Sequence, residues 1–128
     1  MVVVDTSVWI SVLRSGSSPD GAVMASLLDA DEVGLAVPVR IELMSGVSAK
    51  DRSALKRALS ALPVLYPTDD TWRLMDTWTE KTSKAGQHFG LGDLLVAALA
   101  AEAGALVWSL DGDFARMEKL KLVDCYEP

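Results

Sequence analysis

Cysteine and histidine are almost missing from this chain. Its 128 residues hold one of each, Cys125 and His88. A lone cysteine closes no internal disulfide, and one Cys with one His cannot furnish a four-ligand zinc site. Cys125 is therefore expected as a free thiol in a reducing cytoplasm. His88 sits in a glycine-rich stretch, KAGQHFGLG, and reads as a solvated loop residue rather than a catalytic base. Long apolar runs are also lacking. The most apolar segment, Leu94–Ala101, falls far short of the ~20 residues that span a bilayer, so no membrane association is expected. The first ten residues, MVVVDTSVWI, carry no basic segment, and Asp5 interrupts the apolar run. A secretory leader is not expected there, and a cytoplasmic location is. Finally, bases are scarce. Twelve Lys and Arg face eighteen Asp and Glu, a net charge of −6. Phosphate-binding proteins usually carry a basic surplus, so the acids need an explanation.

Half of the residues are hydrophobic and 23% are charged, the balance of a folded globular chain. No repeat, linker or low-complexity tract divides it, and residues 1–128 read as one domain with one core. Val2–Val4 reads as a short buried strand, leading through Asp5 into a helical turn that reaches Leu13. Ser15–Gly21 reads as a loop, and Ala22–Leu28 as a helix. Gly34–Pro38 reads as a second strand, Pro38 also suits the first turn of the next helix, and that helix stops at Gly46. Asp51–Leu62 is helical, with Leu55, Leu59 and Leu62 on one face. Val64–Tyr66 makes a third strand. Thr68, Asp69 and Asp70 offer N-caps for a helix carrying Trp72, Met75 and Trp78. Asp93 opens a helix, Leu94–Ala103, that is apolar nearly all round and so central, with Gly104 closing it. Leu106–Leu110 makes a fourth strand. A short helix at Phe114–Lys119 and a last strand at Leu122–Cys125 complete the chain. This alternation predicts an α/β fold: three layers, α/β/α, around a mostly parallel sheet of about five strands.

In open α/β sheets, ligands bind beyond the carboxyl ends of the strands, where strand order reverses. Sorted by that rule, the acids converge. Asp5 follows the first strand. Asp111 follows the fourth, with Asp113 two residues on. Glu42 lies one turn into the helix after the second strand, and Asp93 stands at the head of the central helix. Setting these five aside leaves 13 acids against 12 bases, a net of −1 rather than −6. Clustered carboxylates raise each other's pKa and cost stability unless a cation neutralises them. An all-oxygen donor set selects Mg²⁺ or Mn²⁺ over zinc. Four or five acids suffice for one ion or two, and a pair about 4 Å apart suits in-line displacement at phosphorus. Thr6, Ser7 and Ser109 are placed to hydrogen-bond the carboxylates. Arg14, Arg40, Lys81, Lys84 and Arg116 lie near the acidic edge in sequence and could meet phosphates. Trp9 and Trp108 flank the site in sequence, with burial as their default.

Four motifs, DTSVW from Asp5, RIELMSG around Glu42, GDLLVAALA from Asp93 and SLDGDF around Asp111, stand in the order and spacing of PIN domains. Together they cover nearly the whole chain, which resembles above all the VapC-type toxins of prokaryotic toxin–antitoxin pairs. The resemblance implies a metal-dependent endoribonuclease. Asp5, Glu42, Asp93 and Asp111 would form the acidic quartet, with Asp113 as an accessory acid. Asp5, Asp93 and Asp111 would hold an ion, and Glu42 would orient or deprotonate the attacking water or ligate a second ion. It further implies an RNA substrate, a homodimer, and a VapB-type antitoxin whose tail enters the active-site groove. One departure stands out: many relatives carry several bases before the third acid, where this chain has Lys81, Lys84 and His88. Two other readings compete. Phosphotransferases of the haloacid-dehalogenase type also place an Asp after the first strand, but need a second two residues later, where this chain has Ser7. A non-catalytic PIN-like module binding RNA or protein would usually have lost some of the acids, and here all four are present.

Overall fold

The structure is a computed structural model that describes residues 1–15 and 17–128. These form, in chain order, β1 (Val2–Val4), α1 (Thr6–Ser15), α2 (Pro19–Asp29), β2 (Val33–Ala36), α3 (Val37–Gly46), α4 (Arg52–Ser60), β3 (Val64–Leu65), α5 (Asp69–Lys84), α6 (Leu91–Glu102), β4 (Leu106–Trp108) and α7 (Gly112–Lys119). The strands make one parallel sheet in the order β3-β2-β1-β4, and helices flank it in the three-layer arrangement expected. β1 is central. Val3 and Val4 are fully buried, which is why an unbroken valine run serves here. The chain leaves β1 toward β2 and β3, then returns to add β4 on the other side. The reversal of strand order therefore falls between β1 and β4, and their carboxyl ends flank the crevice that such reversals create.

α6 runs through the middle of the molecule. Leu94, Val96, Ala97, Ala98, Leu99 and Ala100 are buried, and it packs against β1, β2, β4, α3, α5 and α7. The small alanines allow that close approach on several sides. Thr68 is the residue that caps α5. Its N–H donates to Thr71 Oγ1 (2.9 Å), and the Thr71 hydroxyl donates to Glu102 at the far end of α6 (2.5 Å).

Three expectations need correction. Pro19–Gly21 is not loop but the first turn of α2: Ser18 accepts the Gly21 N–H (3.0 Å) and Pro19 occupies the position where a missing N–H costs nothing. Gly16, also within that expected loop, lies outside the described residues. β2 ends at Ala36, so Val37 belongs to α3 and not to the strand, and Pro38 takes the first turn of that helix as expected. The fifth strand shrinks to a single bridge, Cys125 with Val107. Leu122 and Val123 are buried in the core instead, and the Cys125 N–H is taken by Glu118 (2.6 Å). The named strands of the sheet are thus four.

Four helices end in the same way, with a left-handed residue whose amide and the next close back on the last turn. That residue is Gly86 after α5 and Gly104 after α6, but Asp31 after α2 and Lys121 after α7. A non-glycine residue at positive φ is strained by roughly 1 kcal/mol or more. Lys121 is exposed and its side chain adds nothing visible to the core. Lys121→Gly is therefore expected to stabilise the fold by about 0.5–1 kcal/mol, or roughly 2–4 °C in Tm. A thermal melt showing no gain would contradict that reading of the turn.

Candidate active site

Asp5 follows β1 directly and is 7% exposed. Its N–H bonds the Trp108 carbonyl (2.9 Å), which locks the ends of β1 and β4 together. Two hydroxyls, Ser7 and Ser109, donate to Asp5 Oδ2, each at 2.8 Å. Each hydroxyl also accepts a backbone N–H from the β4–α7 loop: Ser7 from Leu110 (3.0 Å), Ser109 from Asp111 (2.9 Å). One small network thus fixes both the first carboxylate and the loop that presents the next. Thr6 is not part of it. Its hydroxyl is buried and, among the described residues, has no hydrogen-bond partner. Successive residues of a helix point about 100° apart, so only one of Thr6 and Ser7 can face the crevice. Trp9 is buried as well, its indole N–H likewise unpartnered among the described residues.

Asp111 N-caps α7, accepting the Asp113 N–H at 3.0 Å. This turn carries the Asp113 carboxylate toward α6, whose first turn bears Asp93. Asp93, Asp111 and Asp113 can each offer an oxygen within 4.8 Å of the others. Burial pushes the Asp93 carboxyl up from 3.8 to about 7. A hydrogen bond shared with Asp113 and the charges of Asp111, Asp5 and Asp113 add to the effect. Asp113 moves the other way: its hydrogen bond to Arg116 holds it below the usual carboxylate range. Asp5 therefore adjoins the trio and feeds its field without being a fourth member at that spacing. Glu42 stands apart. It is exposed on α3 and lines a groove of about 340 Å³ with Arg14, Ile10, Leu13, Leu43 and Leu55. The donors of the trio are all carboxylate oxygens, and a hard divalent cation would offset both the burial of Asp93 and the charge of its acidic neighbours. The residues fit Mg²⁺ or Mn²⁺.

A family model described as PIN domain matches residues 2–120. The chain belongs to the PIN-domain family. Its sequence is 32% identical to Ribonuclease VapC18 of Mycobacterium tuberculosis (strain ATCC 25618 / H37Rv) over 120 residues, covering 89% of this chain and 85% of that one. It is 29% identical to Ribonuclease VapC11 of the same strain over 119 residues, 89% of each. In fold, this PIN domain is similar to a chain in the crystal structure of VapBC2 from Rickettsia felis bound to a promoter DNA fragment. There the TM-score is 0.81, with 17% identity and 98% of each chain covered. It is similar also to a chain of FitAcB from Neisseria gonorrhoeae, with TM-score 0.76, 19% identity and 100% and 98% covered.

The basic residues of the PIN domain are scattered. Arg14 faces the Glu42 groove. Arg40 lies over the Tyr66 ring (5.7 Å) and donates to its hydroxyl (3.2 Å). Lys81 and Lys84 are exposed in the last turn of α5, and His88 is exposed in the loop that follows. Arg116 is engaged within the protein. It bonds Asp113 (2.5 Å) and Gln87, and its guanidinium lies 4.5 Å from the centre of the buried Phe89 ring. Gln87 and Phe89 were not legible as site residues. The i,i+3 spacing of Asp113 and Arg116 on α7 was an available signal for half of the arrangement.

Proposed function

We propose that this PIN domain is a divalent-cation-dependent endoribonuclease, the toxin of a VapBC-type pair, cleaving RNA phosphodiesters by hydrolysis. One observation carries the reading: Asp93, Asp111 and Asp113 gather within 4.8 Å at the reversal of strand order, with Asp5 fixed behind them. The similarity to VapC ribonucleases supports it. A non-catalytic module would usually have lost some of the acids, and Asp5, Glu42, Asp93 and Asp111 are all present.

Asp93 and Asp111, with Asp5 through the oxygen its hydroxyl donors leave open, would hold Mg²⁺ or Mn²⁺, and Asp113 would assist. When bound, such an ion makes a water acidic enough to attack near neutral pH and offsets charge on the phosphate oxygens. Ser7 and Ser109 keep Asp5 oriented for that task. Glu42, which lines the groove with Arg14, would orient or deprotonate the attacking water or ligate a second ion. Arg14 beside it and Arg40, Lys81 and Lys84 elsewhere on the surface would meet RNA phosphates. A VapB-type antitoxin would oppose the enzyme. The exposed Ile10 and Leu13, on the groove that holds Glu42, offer its tail an apolar hold. A homodimer in the cytoplasm completes the proposal. No described helix is long and apolar enough to cross a membrane.

The test is transcriptome-wide mapping of new RNA 5′ ends after brief induction, with wild type beside Asp93→Asn. Discrete new ends are expected with wild type alone. Identical maps, from soluble wild-type protein without antitoxin, would contradict a nuclease.

A further inference from the structure

Arg116 joins two segments that are distant in sequence. Through Asp113 it holds its own helix, α7. Through Gln87 Oε1 and the face of Phe89 it holds the loop that runs from α5 into α6, and α6 carries Asp93. Neither anchor in that loop is loose. Gly86 adopts φ +68°, and the Gln87 N–H closes back on the Thr82 carbonyl (2.9 Å), which fixes where Gln87 stands. Phe89 is 4% exposed and belongs to the core. A planar fork suits this task, since one nitrogen takes a carboxylate, another takes an amide oxygen and the flat face lies on a ring. A lysine ammonium carries the same charge but cannot make all three contacts.

We propose that Arg116 is a positioning residue for the acidic cluster, setting where Asp113 stands relative to Asp93 by clamping α7 to the α5–α6 loop. It acts through geometry and not through its charge alone. The inference rests on the cluster's being a divalent-cation site, as proposed above. Asp113 enters that cluster with Oδ1 already engaged by the guanidinium.

The experiment is Mn²⁺ binding by calorimetry to the full chain as wild type, Arg116→Lys, Asp113→Asn and the double variant, with a thermal melt of each. Arg116→Lys conserves charge, and is expected to weaken Mn²⁺ binding about 5-fold or more while Tm of the metal-free protein moves by no more than a few degrees. In the Asp113→Asn background the same change is expected to add little, because the clamp would have nothing left to position. Equal affinity for wild type and Arg116→Lys would overturn the proposal. So would a full additional loss in the Asp113→Asn background. Absence of Mn²⁺ binding by wild type would instead remove the nuclease reading on which the proposal rests. If Arg116→Lys does not fold, Gln87→Ala cuts one arm of the clamp without altering charge. It is expected to weaken Mn²⁺ about 2-fold or more, and wild-type affinity there would equally overturn the proposal.

Discussion

Asp93→Asn is expected to cut RNA cleavage at least 100-fold and yet to make the metal-free protein more stable at pH 8. The two effects have one cause. In the folded chain the Asp93 carboxyl is pushed up to about 7 by burial, by the hydrogen bond shared with Asp113 and by its acidic neighbours. A carboxyl whose folded pKa is raised contributes stability that is full below its unfolded value, near 3.8, and is lost as pH rises through about 7. At pH 8 the native state therefore carries an ionised Asp93 among like charges. Asparagine removes that charge at nearly constant volume. With Asp93 partly open to water, screening limits the gain to about 1 kcal/mol, or a few degrees in Tm. Asp113 acts in the opposite sense: held low by Arg116, it contributes stability that is lost only on acidification, and it is common to both proteins. Because Asp93 and Asp113 share a hydrogen bond, the difference reports the pair at acid pH and the Asp93 charge between pH 6 and 8. Thermal melts at pH 4, 6 and 8 check this, and the difference should grow with pH and shrink when Mg²⁺ is added. A variant less stable than wild type at pH 8 without metal would contradict it.

Ser109→Ala should have the next largest effect, a 10- to 100-fold loss in activity, with loss of metal affinity on the same scale. Its hydroxyl donates to Asp5 and accepts the Asp111 N–H. Alanine leaves Asp5 with one hydroxyl donor and frees the loop that presents Asp111. Ser109→Thr, which restores the hydroxyl, should recover most of the activity if the added methyl is accommodated. Cleavage rates across a Mn²⁺ series separate this from a purely structural defect. The account requires that part of the loss be recovered at high Mn²⁺. A variant as active as wild type at low Mn²⁺ would remove Ser109 from the site.

Much of this was legible in the residues. A valine run that stops on a carboxylate shows a buried parallel strand delivering an acid to the sheet edge, and Asp5 lies there. The alternation of elements is enough to bring Asp93, Asp111 and Asp113 from separate parts of the chain to one edge. The apolar circumference of α6 marks it as central. What escaped depends on choices between neighbours and on contacts across the fold. Thr6 and Ser7 are chemically alike, and only the helical phase decides which one meets Asp5. Leu122–Cys125 has strand composition, yet the turn at Lys121 buries Leu122 and Val123 and leaves a single bridge. Pro19 after Ser18 is a helix start, hidden by the surrounding serines and glycines. Glu42 falls in the expected helix, but its exposure beside the Arg14 groove follows from how α1 and α3 pack. Arg116 reads as a surface base until Gln87 and Phe89 are brought beside it from 29 and 27 residues away.

The carboxylates at the β1/β4 edge are proposed to hold a divalent cation, and equilibrium Mn²⁺ binding to purified wild type and Asp93→Asn at pH 8 checks this. Saturable binding to wild type is expected, with binding at least 10-fold weaker to the variant. Equal affinity in the two proteins would place the ion elsewhere and contradict the site.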